Sequence, residues 1–161
     1  MSTRKRNSVK IDFDFSSVEK KLDALVGHSR SEESIIRKAA GAGAKIMYDE
    51  MVLRAPVRDE KYKTGKKRKP PGQLKKSIYY WWDKDTSGKN RALYRIGPNT
   101  KKAPHWHLVE FGHWDKGKTH FTPAHPYIRP TFDAKSKEAL ETSRKKLNEL
   151  IGEVFNGKGA G

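Results

Sequence analysis

Apolar and polar residues alternate near the start of the chain. Val9, Ile11, Phe13 and Phe15 are separated by Lys10, Asp12 and Asp14, the period of a half-buried strand. Ser16 and Glu19 then stand at capping-box spacing ahead of Val18, Leu22 and Leu25, which predicts a helix closed by Gly27. A longer helix is predicted from Ser31, with Glu32 and Glu33 in the first turn, where the helix dipole favours acids. Ile35, Ile36, Ala39, Gly43, Ile46, Met47 and Val52 recur along it at roughly helical spacing. Ala55-Pro56 stops it, because proline pushes the preceding residue out of the helical region. Within this helix lies Ala39-Ala40-Gly41-Ala42-Gly43-Ala44. Each glycine there costs about 1 kcal/mol relative to alanine. Such a run means either close approach by a sheet or a neighbouring subunit, or simply a weaker helix.

Residues 58–73 read as a loop, and Leu74 to Trp82 as a strand rich in aromatic residues. After a polar turn at 83–90, Ala92 to Gly97 pairs with that strand as a hairpin. Trp106 to Phe111 is expected to be a third strand. Pro130 sits where a helix begins, since its missing donor is not needed there. Ala139, Leu140, Leu147, Leu150, Ile151, Val154 and Phe155 then line one face of an amphipathic helix of about seven turns. The expected fold class is α+β, a small antiparallel β-sheet packed with a long central helix and a long C-terminal helix. Residues 1–10 form a flexible basic arm, 11–155 a single domain, and 156–161 a flexible tail.

Composition alters this picture mainly through charge. Lys and Arg number 35 against 19 Asp and Glu, a net charge of +16 and a pI near 10.0. Such an excess opposes compaction unless a polyanion or an acidic partner screens it. Hydrophobic residues make up 34%, enough for one modest core. With no cysteine, disulfides, thiol nucleophiles and cysteine-based zinc sites are excluded. No apolar run follows the basic start, and none approaches the roughly 20 residues of a membrane span. The expectation is a soluble intracellular protein, or part of a particle assembled inside a cell, with no membrane partner.

The positive charge is concentrated. Between Arg58 and Lys76 lie nine basic residues, among them Arg58, Lys61, Lys63, Lys66, Lys67, Arg68 and Lys69, against Asp59 and Glu60. Pro70-Pro71 follows and holds the tract extended. This loop predicts sequence-independent attraction to phosphate or to an acidic protein surface, or else a merely solvated loop. No recognition helix or stacking motif indicates base-specific readout.

A second candidate is His105 to Phe132, which contains five of the six histidines. On a strand, His105 and His107 would share a face and, with Glu110, could bind a divalent metal. Strand alternation, however, turns Glu110 to the opposite face. No HExxH, phosphate loop, nucleophile elbow or diagnostic carboxylate spacing supports an enzyme. The reading is therefore non-enzymatic, with no cofactor. The histidines are expected to be polar or interface residues.

Four motifs in order carry a resemblance. They are Ala55-Pro56-Val57, Gly72-Gln73-Leu74-Lys75-Lys76-Ser77-Ile78, Val109-Glu110-Phe111-Gly112, and Pro123-Ala124-His125-Pro126-Tyr127-Ile128-Arg129-Pro130. Together they make residues 31–155 resemble the tail-completion, or head–tail joining, family of long-tailed bacteriophages. The chain departs from it where a short turn is expanded into the basic loop, and where His113-Trp114 follows Glu-Phe-Gly. The resemblance implies a structural virion protein at the neck, assembled in the host cytoplasm. It implies a homo-oligomeric ring, a hexamer in preference to a dodecamer, around the channel through which phage DNA leaves. Its partners would be portal-side connector proteins and tail terminator or tail-tube proteins. Glu110, Phe111, Gly112, Pro126, Tyr127, Arg129 and Pro130 would be fold and assembly determinants. Gly112 would supply a positive φ or a close approach. Arg129 would pair with a carboxylate such as Glu110. The alternative is a non-specific nucleic-acid-binding protein outside any particle.

Overall fold

The structure is a computed structural model that describes residues 9–14, 29–58, 71–88 and 91–157, with side-chain surroundings for those between Ser34 and Val154. In chain order the elements are β1 (Val9–Asp14), α1 (Ser29–Arg54), α2 (Gln73–Ser77), β2 (Ile78–Trp82), β3 (Arg91–Pro98), α3 (Trp106–Phe111), β4 (His113–Trp114), β5 (Phe121–Thr122) and α4 (Ile128–Gly157). The helix expected at 16–27 and most of the basic loop lie outside the described residues.

Strands β1 and β2 flank β3 in an antiparallel sheet of order β1-β3-β2. Val9 pairs with Ile96 and Asp14 with Arg91, while Ile78 pairs with Pro98 and Trp82 with Tyr94. The register puts Ala92, Tyr94 and Ile96 on the face that meets α1, and all three are buried. The opposite face is mixed, with Arg91 exposed and Arg95 half-buried. Leu93, pointing the other way, is also 2% exposed.

Helix α1 is buried on two sides. Ile35, Ile36, Ala39, Ala40, Ala44, Met47 and Met51 are all shielded between the sheet and α4. The alanines leave no bulk between the helix axes, so α4 can approach closely. Gly41 answers to the sheet as well. A Cβ on Gly41 would lie 3.0 Å from the Tyr94 hydroxyl, which donates to the Arg37 carbonyl at 3.1 Å. Along α4, Ala139, Ser143, Leu147, Leu150 and Ile151 are buried, the stripe that its sequence predicts. Thr131 and Ser143 are also buried there, and each hydroxyl donates back to a carbonyl four residues earlier, at 2.6 and 2.9 Å.

Two expectations are corrected. Leu74 to Ser77 is not strand. Gly72 takes φ 77°, and its carbonyl accepts the Lys76 N–H at 3.0 Å, winding one helical turn before β2. Ser77 Oγ closes that turn on the Leu74 carbonyl at 2.7 Å. Trp106 to Phe111 is also a helix. Asn99 begins the winding, its side-chain oxygen accepting the Lys101 N–H at 2.9 Å and its carbonyl the Ala103 N–H at 2.8 Å. Helical spacing then turns Trp106 and Glu110 inward together. Short apolar runs do not distinguish strand from helix by periodicity. Here burial of Glu110 decides it.

Candidate assembly site at the head of the C-terminal helix

The first turn of a helix has N–H groups without intrahelical acceptors. At α4 one remote side chain serves them. The Glu110 carboxylate accepts the N–H groups of Tyr127 at 2.9 Å, Ile128 at 3.1 Å and Arg129 at 3.3 Å. Pro130 follows in the same turn and has no N–H to satisfy. Glu110 is 6% exposed, and the positive end of the helix dipole compensates its buried charge. Residues distant in sequence are thus locked into one corner. Tyr127 is fully buried beneath it, and that burial, with the nearby Glu110 charge, pushes its phenol far above its ordinary pKa.

This corrects the expected ion pair. Arg129 meets Glu110 through its backbone N–H, and among the described residues no ion pair joins its guanidinium to that carboxylate. The Arg129 side chain is exposed and, with Arg54 and Asp133, lines a shallow cleft floored by Phe111, Pro126 and Pro130. Arg54, the last residue of α1, lies beside the start of α4, so the two long helices run antiparallel.

Gly112 directs the chain out of the corner. It takes φ 72° and ψ 171°, a combination open essentially to glycine alone. A Cβ there would stand 2.8 Å from the Thr122 carbonyl oxygen and 2.9 Å from the Ala124 nitrogen. The hairpin β4–β5 is thereby held against α3, and the His125 N–H bonds to the Val109 carbonyl at 2.8 Å. Its turn is closed by Asp115, whose carboxylate accepts the Thr119 N–H at 2.7 Å and hydroxyl at 2.5 Å. Those bonds hold the Asp115 carboxyl below its ordinary pKa.

The result is a rigid support that presents apolar side chains to solvent. Phe111 is 66% exposed and Trp114 58%, with Phe121 packed against Trp114 at a ring separation of 5.2 Å. Phe132 and Leu53, on the helices that meet this end, and Val57, just past α1, are further exposed hydrophobics. Trp114 and Phe121 escape sequence reasoning, because two-residue strands have too little alternation to detect.

The remaining site residues are dispersed. Arg58 is exposed just past α1, whereas Lys61, Lys63, Lys66, Lys67, Arg68 and Lys69 lie outside the described residues. His105 stands at the N-terminus of α3 and His107 is exposed, edge-on to the Trp106 ring at 5.8 Å. Glu110 is engaged by α4 instead of facing them. Among the described residues no group of three or more His, Asp or Glu could hold a metal, and no helix is long and apolar enough to cross a membrane.

Compared with known protein families, residues 16–112 match the model described as "Bacteriophage HK97-gp10, putative tail-component". Neither the curated proteins nor the solved structures gave a match.

Proposed function

The chain belongs to the HK97-gp10-like family of bacteriophage tail components, and from that premise we propose that it forms a ring at the phage neck that completes the tail and joins it to the head. The exposed aromatic surface carries this reading. Phe111, Trp114 and Phe121 stand on a corner fixed by Glu110 and Gly112, so burying them in a partner costs little ordering entropy. Large exposed apolar clusters on rigid elements mark protein–protein contact surfaces. In this arrangement neighbouring copies of the chain, connector proteins and tail proteins supply the covering surfaces. The basic loop from Lys61 to Lys69 faces the DNA passing through the ring or an acidic neighbouring ring.

The test is complementation of phage lacking this protein. Wild-type chain should restore joined particles, while a chain carrying Phe111→Ser and Trp114→Ser should leave unjoined heads and tails in electron micrographs. Deletion of 61–70 should yield particles that join poorly or lose DNA. Normal joined particles in the complete absence of the protein would sink the proposal. The charge of +16 favours one second reading, a nucleic-acid-binding protein outside the particle. It predicts that the chain is missing from purified virions.

A further inference from the structure

On the flank of the sheet away from the aromatic corner, three cations converge. Ser34, Arg37, Lys38 and Gly41 recur three or four residues apart and so share one face of α1. Lys84 joins them from the turn after β2, and Trp82 and Tyr94 form the floor of a cleft of about 510 Å³. Arg37, Lys38 and Lys84 are exposed, and among the described residues none of them forms an ion pair with a carboxylate. Elsewhere the chain does pair its cations, as in Lys45–Asp49 and Arg54–Glu50 on the same helix. Left unpaired, the cluster accumulates positive potential over a low-dielectric aromatic floor.

The cleft is also organised. The Arg37 guanidinium lies over the Trp82 ring, 4.2 Å from its centroid. Stacking on Trp82, with the Tyr94 hydroxyl beside it, fixes the plane of the guanidinium, and its remaining N–H groups are those that can grip a phosphate. Gly41 makes room for Tyr94, whose hydroxyl holds the Arg37 carbonyl. An ordinary surface arginine must surrender rotamer freedom to bind, and this one has already surrendered much of it.

We propose that this cleft is a phosphate-binding site for the sugar-phosphate backbone of nucleic acid. Arg37 is the fork, and Lys38 and Lys84 flank it as point charges. The Trp82 face is already occupied by Arg37, so the site holds backbone and reads no base by stacking on that face. Its residues are not those of the basic loop, and it does not depend on where the protein sits in a particle.

Purified full-length protein is titrated with a short fluorescein-labelled duplex DNA across a salt series. Each phosphate contact contributes about −0.9 to the slope of log affinity against log salt. The triple variant Arg37→Gln, Lys38→Gln, Lys84→Gln should flatten that slope by roughly two to three and weaken binding at least about tenfold. A control with the same charge change, Lys137→Gln, Arg144→Gln, Lys145→Gln on the exposed face of α4, should weaken it far less. Arg37→Lys, which keeps the charge and loses the stacked fork, should weaken binding measurably. Equal losses in cleft and control variants would overturn the site, because net charge alone would explain the affinity. So would wild-type affinity in Arg37→Lys. Displacement of the DNA by polyglutamate as readily as by unlabelled DNA would also overturn it, indicating an acidic protein partner instead.

Discussion

Gly112 is the residue at which substitution is least tolerable. Its backbone lies in a glycine-only region, and the atoms that a Cβ would strike include the Thr122 oxygen and the Ala124 nitrogen, which cannot rotate away. Gly112→Ala should therefore cost roughly 3 kcal/mol or more in chemical denaturation, summing backbone strain and overpacking. A cost below about 1 kcal/mol would mean that the hairpin does not hold this contact. Glu110→Ala removes the acceptor of three first-turn N–H groups, that of Tyr127 buried, and should cost about 1–3 kcal/mol, and Glu110→Gln less, since one oxygen remains. Equal effects would reduce the role of hydrogen bonding there. Asp83 gives a pH signature. Burial alone would raise its carboxyl, but the hydrogen bond and charge of Arg95, together with Thr86, outweigh that and hold it below the ordinary range. Because its pKa is depressed by folding, its stabilisation is complete above the unfolded value near 3.9 and is lost as pH falls through the folded value. Asp83→Asn should flatten the decline in stability below about pH 4 and cost about 1–3 kcal/mol at neutral pH. An unchanged acid limb in the thermal melts would refute this.

Among the elements, those with a long apolar period are legible and those set by tertiary contact are not. The Ile35-to-Val52 periodicity and the Ala139-to-Val154 stripe mark α1 and α4, because one buried face imposes one period, and alternation marks β1. Helix α3 is different. Its six residues, Trp106–Phe111, offer both patterns, and the helical choice follows from Glu110 reaching an α4 terminus seventeen to nineteen residues onward. Charge-pair reasoning finds the right two partners, Glu110 and Arg129, with the wrong atom on Arg129. The positive φ of the motif glycine, Gly112, is what the family resemblance implied. Hairpin β4–β5 is invisible in the pattern, yet it carries the largest exposed aromatic. Phe111 and Trp114 bury little in the isolated chain, so Phe111→Ser with Trp114→Ser should change its stability by less than about 1 kcal/mol. Phe121 is a poorer choice, since its ring also packs over Gly112. In native mass spectrometry the same double variant should fail to form the higher oligomer that the proposed ring requires. Unimpaired oligomers would remove this surface from the assembly.

At the scale of the whole molecule, charge sets the balance between self-repulsion and partner attraction. Among the described residues five ion pairs are formed, and four are solvent-screened pairs three or four residues apart on a helix, which contribute little. Against them stands an uncompensated +16 on a chain of 161 residues. Salt weakens both, but the repulsion sums over many pairs of like charges, and raising ionic strength to 0.15 M shortens the screening length to about 8 Å. Repulsion should therefore be the larger loss. The melting temperature of the isolated chain is expected to rise by several degrees as sodium chloride increases from low to physiological strength, and association with DNA to weaken over the same range. The opposite signs matter, because a general effect of salt on solubility or packing would move both measurements together. A melting temperature that falls with salt would mean that local ion pairs outweigh the net charge. The partner would then not be needed to screen the chain, and the attraction to an acidic neighbour or to DNA would lose its main physical ground.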